Sequence, residues 1–504
     1  MCMPPASEAK SNGRPPRSPE VTIVGAGMSG LCMGIMLKQA GIESFRIYEK
    51  ASAVGGTWRE NTYPGLTCDV PSRFYQYSFA PNPDWSHVYS PGPEIWRYFD
   101  RVADRFDLRR HIRFGNEVVG GRFEDGRWRI RAGGGDEATA DFLISACGVL
   151  HHPRYPDIDG LETFSGALFH SARWDHNVEL EGRRIAVVGN GSTGVQIVTA
   201  LAGTSARLLH FQRTPQWIAP VPNRRYTRPT RALFRRFPVL SRLAYETSQA
   251  MFEWYAKALI KPGWRRSLVG WLCRRNLARI KDPELRRRLT PDYQPMCKRL
   301  VISSGFYEAM QQPNVELVTE AIERVEPRGI VTHDGQLHDV DVIVLATGFD
   351  AHAYMRPMDL VGEGGITLDE AWRDGPRAYR TVALPRFPNL FMLIGPHSPV
   401  GNHSLISIAE TQAAYVMRWI ELWRQGRVAT MAPVEAATRR FNEQMREAMP
   451  STVWATGCQS WYLGKDGTPE VWPWTPGRHR ELLQAPEFEE FEVRPVAADI
   501  EATR

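Results

Sequence analysis

Two groups of glycines in this chain have the spacing that lets a backbone wrap a diphosphate. Gly25, Gly27 and Gly30 stand in "VGAGMSG", and Gly189, Gly191 and Gly194 in "VGNGSTG". Each group follows a short run of buried-strand type, Val21 to Val24 and Ile185 to Val188, and precedes a segment of helical pattern. In that order the glycines make a tight turn, admit a pyrophosphate close to the backbone, and let helix pack on strand. The free N–H groups that open the following helix then hold the phosphates; in the second group Ser192 and Thr193 lie there. The next strands end differently. "SFRIYEK" ends at Glu49, an acid placed to accept hydrogen bonds from both ribose hydroxyls. "ARLLHFQRTP" ends in Arg213 and Thr214, where a guanidinium pairs with a 2′-phosphate that an acid would repel. The first site lies near the start of the chain and is followed by Gly56, Thr57 and Trp58 of "VGGTW", which favours FAD. The second reads as an NADPH site. Together they imply a hydride passed from nicotinamide to flavin.

These residues need a particular scaffold. "FLISACGVL" (142–150) and "VIVLATGFD" (342–350) are apolar runs ending in a small residue and glycine, where the chain can turn sharply and cross between domains. The expected fold is α/β: two Rossmann-like dinucleotide-binding domains, the NADPH domain inserted into the FAD domain, plus a helical insertion. The expected boundaries are a disordered tail over 1–18 and an FAD domain over 19–150. The NADPH domain follows over 151–222, then a basic helical insertion over 223–290. The NADPH domain resumes over 291–339, the FAD domain over 340–495, and a tail closes the chain at 496–504.

Composition narrows the class. With 504 residues, 43% of them hydrophobic, the chain can bury a large core without disulfide staples. Cys2, Cys32, Cys68, Cys147, Cys273, Cys297 and Cys458 are scattered, and no pair has C-x-x-C spacing. That argues against a zinc site or any other metal centre, and against a redox dithiol; it fits a reducing, cytoplasmic compartment. Residues 1–18 have no apolar signal-peptide core, and no run of eighteen apolar residues suggests a membrane span. The net charge is +6, yet residues 223–290 hold 18 Lys or Arg against 4 Asp or Glu, a net of +14, so the remainder carries −8. Within that segment apolar residues recur at helical spacing between arginines, and prolines at 229, 238 and 262 divide it into short pieces. The favoured reading is a helical roof over the substrate pocket; the alternative is weak peripheral contact with a membrane surface. No nucleic-acid motif accompanies the charge.

Between the first crossing strand and the second glycine turn lies "FSGALFHSARWD", with Phe164, Gly166, His170, Trp174 and Asp175 in the pattern F-x-G-x-x-x-H-x-x-x-W-[P/D]. With both glycine groups and "ATGFD" at 346–350, the chain resembles the Baeyer–Villiger monooxygenases, within the class B flavoprotein monooxygenases, over almost its whole length. The resemblance implies conversion of a ketone to an ester or lactone with O2 through a C4a-peroxyflavin. His170 lies on an expected interdomain connection, which favours a role in coupling domain motion over the alternative of direct proton transfer. The family's arginine lies in a Lys-Arg pair ahead of an aromatic segment. Here "MCKRLVISSGFYEAM" supplies Lys298 as a contact to the 2′-phosphate and Arg299 as the cation beside flavin and substrate. Asp69 of "YPGLTCDVPS" is the carboxylate expected to orient Arg299, close to the cofactor. Trp461 marks an expected loop contacting nicotinamide and substrate. Gly395, Asn402 and Ser404, ahead of the last long helix, are expected near the flavin pyrimidine edge, where a helix N-terminus favours negative charge. Three rivals remain: an N- or S-oxygenating flavin-containing monooxygenase of the same class, a disulfide oxidoreductase disfavoured by the missing C-x-x-C, and a flavin-binding protein without turnover.

Overall fold

The computed structural model describes residues 17–496. Two five-stranded parallel sheets carry the glycine turns. In the first, the strands run in the order Leu390–Met392, Phe142–Ser145, Val21–Val24, Phe45–Tyr48 and Ile112–Arg113. In the second the order is Val315–Val318, Arg207–Phe211, Arg184–Val188, Val342–Leu345 and Ala167–His170. Parallel strands covered on both faces read as continuous apolar runs; Phe142–Ser145 and Val342–Leu345 are buried at every position. Each of these two strands is preceded by a three-stranded antiparallel meander, 118–140 in one case and 322–339 in the other. The helix Met28–Gln39 packs against the long buried helix Leu405–Arg424.

The structure moves two expected boundaries. Val342–Leu345 belongs to the second sheet, between Ala167–His170 and Arg184–Val188, so the chain leaves that sheet after Leu345 and not at 340. Its four buried apolar residues need a neighbour on each edge, which only that sheet offers. At the other end, Arg17 donates its backbone N–H to the Arg424 carbonyl and lies 3.8 Å from the Trp423 ring centroid. The folded part therefore already includes Arg17; the remaining tail residues 1–16 and 497–504 lie outside the described residues.

The basic segment forms the helices Arg228–Arg236, Pro238–Ile260, Trp264–Leu277 and Pro283–Arg288. Pro238 and Pro262 stand between successive helices, as the sequence suggests, but Pro229 breaks nothing, because it sits in the first turn of Arg228–Arg236, where the missing N–H costs nothing. Nor are the pieces all short: the helix Pro238–Ile260 runs 23 residues. Its inner side packs on the first unit. Phe74 meets Tyr245 at 4.9 Å and Phe252 at 5.4 Å, and Arg235 pairs with Asp84 at 2.6 Å. Among the described residues no helix is long and apolar enough to cross a membrane.

Candidate active site

The two glycine turns are built by the same steric rule. Gly25 has φ +104°, and a Cβ there would stand 2.6 Å from the Ala146 carbonyl oxygen; a Cβ on Gly30 would stand 1.9 Å from the Gly25 oxygen. In the second unit Gly189 has φ +112°, with a Cβ 2.3 Å from the Ala346 oxygen, and a Cβ on Gly194 would be 2.0 Å from the Gly189 oxygen. No side chain fits at these positions. Gly27 and Gly191 open the helices Met28–Gln39 and Ser192–Leu201 without a side-chain cap, which leaves backbone donors free. Gly191 faces open space, while Gly27 and Gly56 face each other so closely that a Cβ on Gly56 would lie 3.2 Å from Gly27 Cα. Both cradles fit a dinucleotide's phosphates.

Glu49 is buried at the end of Phe45–Tyr48. Its Oε2 accepts from Ala26 N–H at 2.8 Å and its Oε1 from Ala51 N–H at 3.0 Å, and Arg59 stands 3.3 Å away. Arg213 is exposed beyond Arg207–Phe211, and Asn190 donates to the Thr214 carbonyl. Lys298 lies 4.6 Å from the Tyr293 ring centroid. Burial lowers its pKa, the charge of Arg213 adds to that, and Asp292 opposes it. Arg213 and Lys298 thus share one field, and among the described residues neither has a carboxylate partner within 4.0 Å. Thr57 and Trp58 begin the short helix after Gly56, and Trp58 Nε1 donates to Tyr75 at 3.1 Å.

Arg299 and Asp69, 230 residues apart, are in contact. Nε donates to Asp69 Oδ2 at 2.8 Å, Nη2 stands 2.7 Å from the same oxygen, and Nη1 donates to the Val400 carbonyl at 2.9 Å. The Asp69 carboxylate raises the Arg299 pKa further, against desolvation, so the guanidinium is charged at every working pH. The Tyr462 hydroxyl, which residue-by-residue reading missed, lies beside that guanidinium without a well-formed hydrogen bond. Burial raises its pKa and Arg299 pulls the other way. Trp461, 40% exposed, and Tyr462 line a small cavity with Val149, Tyr354, Val400 and Glu470.

A second feature contradicts the cysteine reading. Cys297 and Cys458, both buried and 161 residues apart, form a disulfide with Cα atoms 6.1 Å apart. Sequence spacing alone gives no sign of it, because the partners meet only when the 457–470 loop folds against the segment between Pro283–Arg288 and Val301–Ile302. The bond joins the residue before Lys298–Arg299 to the loop that carries Trp461 and Tyr462.

The fingerprint segment is a connector. Gly166 is sterically required, since a Cβ would lie 2.4 Å from the Asp341 oxygen and 2.7 Å from the Phe164 ring. His170 is fully buried at the end of Ala167–His170; its Nδ1 accepts from Ala172 N–H at 3.1 Å, and its ring meets Tyr155 at 5.4 Å and Phe349 at 5.8 Å. Desolvation lowers its pKa, so it is neutral near pH 7. Trp174 packs on Phe169 at 4.9 Å, and Asp175 accepts from Asn177 N–H in a surface turn. Between them Arg173 reaches Glu60 at 3.0 Å and His176 reaches Thr62 at 2.8 Å, tying the connector to the first unit. A further bridge, unforeseen from sequence, runs from Tyr63 to Gln196 at 3.0 Å and Thr193 at 3.3 Å. At the start of Leu405–Arg424, Ser404 and Asn402 are buried, and Asn402 Oδ1 has no partner among the described residues. Gly395 is held where a Cβ would lie 2.2 Å from the Thr381 oxygen.

Comparison with known proteins agrees with this geometry. Residues 18–358 match the FMO-like (flavin-binding monooxygenase-like) family profile. An uncharacterized monooxygenase of Mycobacterium tuberculosis is 59% identical over 96% of this chain and 97% of its own length. A Baeyer–Villiger monooxygenase of Streptomyces coelicolor is 40% identical over 96% of this chain and 94% of its own. The crystal structure of OTEMO in complex with FAD and NADP superposes with a TM-score of 0.85 at 29% identity, covering 95% of this chain and all of that one. The chain belongs to the flavin-binding monooxygenase-like family and, within it, to the Baeyer–Villiger monooxygenases.

Proposed function

We propose that the protein is an FAD- and NADPH-dependent Baeyer–Villiger monooxygenase. It converts a ketone, O2, NADPH and a proton to an ester or lactone, NADP+ and water. Bound FAD, reduced by NADPH, supplies the activation of O2. In our reading the first glycine turn and Glu49 hold the FAD diphosphate and ribose. Ser192 and Thr193 take the second diphosphate at their helix N-terminus, and Arg213, Thr214 and Lys298 take the 2′-phosphate.

The observation that carries the proposal is the Asp69–Arg299 pair. Asp69 fixes two guanidinium nitrogens and the Val400 carbonyl a third, so the cation is oriented before substrate arrives. A fixed positive charge stabilises the negative charge that develops on a ketone oxygen under attack. Trp461 and Tyr462 cover the neighbouring cavity and exclude water from it. Phe164, Gly166, His170, Trp174 and Asp175 hold the two units in register while substrate and nicotinamide exchange.

We place the enzyme in the cytoplasm, where FAD and NADPH are both present. The buried Cys297–Cys458 bond is shielded there from thiol exchange. A panel of ketones and thioethers, with products identified by mass spectrometry, tests the assignment. Ester or lactone from at least one ketone is the expected result; sulfoxide with every ketone left unchanged would favour heteroatom oxygenation instead.

A further inference from the structure

The outer side of the basic helices is apolar where a water-facing surface is normally polar. Nine of the thirteen large hydrophobic side chains exposed among the described residues lie in this one segment. They are ordered. On the helix Trp264–Leu277 the exposed Trp264, Leu268, Trp271 and Leu272 recur at intervals of four, three and one, which is one helical stripe. The opposite side, with Val269, Cys273 and Leu277, is buried in the core. Val239, Leu243 and Met251 fall on one side of Pro238–Ile260, and Leu233 and Phe237 are one turn apart.

Cations stand over these rings. Arg265 lies 4.8 Å from the Trp264 centroid, Arg275 5.2 Å from Trp271, and Arg236 5.7 Å from Phe237. The segment's four acids are already engaged: Glu246 with Arg242, Glu284 with Arg287, Glu253 with the Gly477 N–H, and Asp282 with the Glu284 N–H. A stripe of Trp and Leu rimmed by arginine matches the boundary between lipid headgroups and acyl chains. A second copy of the chain would set one +14 segment against another.

We infer that the helices Arg228–Arg236, Pro238–Ile260 and Trp264–Leu277 form a peripheral docking face for an anionic phospholipid bilayer, with Trp264, Trp271 and Leu272 entering the headgroup boundary. The inner side of Arg228–Arg236 and Pro238–Ile260 reaches Asp84 and Phe74 of the first unit, and that of Trp264–Leu277 packs into the core of the second. Such docking holds the enzyme at the phase into which apolar ketones partition.

The test uses the full-length, flavin-loaded protein with vesicles of phosphatidylcholine alone or with about one third phosphatidylglycerol. At low salt the fraction that sediments with anionic vesicles is expected to exceed that with neutral vesicles by about tenfold, and to fall several-fold at roughly 0.5 M salt. Trp264→Ser with Trp271→Ser, and separately Arg265→Glu with Arg275→Glu, should each remove most of the binding while flavin content stays as in the parent. Equal binding to both vesicle types, or binding that survives both variants, overturns the inference. So does a dimer in size-exclusion chromatography that dissociates in the tryptophan variant, because the face would then belong to a second copy. None of these readouts depends on turnover, so an enzyme that made no ester would leave the docking result intact.

Discussion

The two glycine turns are near-copies in backbone and opposites in charge. In both, the first glycine has a positive φ and is backed by the carbonyl of an alanine at the end of a neighbouring strand, Ala146 or Ala346. In both, the third glycine touches the oxygen of the first. Yet one strand ends in the buried, hydrogen-bonded Glu49 and the other in the exposed Arg213 with Lys298 nearby. Shared sterics shape both turns alike, and we propose that strand-end chemistry decides which nucleotide each would hold.

Breaking the sterics of one turn at a time should have the largest effect. Gly30→Ala drives a methyl onto a carbonyl, so the purified protein should retain at most about a tenth of its FAD. Gly194→Ala should remain yellow and lose NADPH oxidation. Equal flavin loss in both variants would mean that the turns do not act separately. A smaller effect is expected at the strand ends. Arg213→Ala should raise the NADPH KM about tenfold, the lower end for a charge-assisted contact at an exposed site, and leave the NADH KM nearly unchanged.

The second unit alone is tied covalently to the late loop. Cys32, Cys68, Cys147 and Cys273 should react with a thiol reagent in the denatured, unreduced chain, and Cys297 and Cys458 only after reduction. Cys458→Ala should lower ester formed per NADPH roughly two- to threefold by loosening Tyr462 beside Arg299, and speed tryptic cleavage after the exposed Lys465. The smallest expected effect concerns Glu410 on Leu405–Arg424. Burial pushes its pKa up to about 7 against the Ser78 N–H bond. A carboxyl raised on folding contributes full stability below its unfolded value near 4.5 and loses it as pH rises through 7. Wild-type Tm should therefore drop between about pH 5 and pH 8 by more than that of Glu410→Gln.

What could be read from the chain follows from contact range. The glycine turns, their strands and the strand-end residues are neighbours in sequence, and local sterics dictates them. Asp69 and Arg299 are 230 residues apart, and only the family resemblance brings them together beforehand. Nothing of that kind points to Cys297–Cys458 or to Tyr462 against Arg299, because both depend on how a late loop closes. The place of Val342–Leu345 is hidden for a related reason: an apolar run does not say which of two similar sheets it completes. Proline is ambiguous in the same way: Pro238 and Pro262 stand between helices, whereas Pro229 lies inside the first turn of one, which accepts proline.

The central claim is that Arg299, oriented by Asp69, is the cation on which oxygen insertion depends. Single-turnover measurement on Arg299→Ala tests it: flavin reduction by NADPH is followed first, then ester is quantified after mixing with O2 and ketone. Reduction at the wild-type rate with ester yield at least about a hundredfold lower is the predicted result. Ester formed at the wild-type yield would contradict the claim.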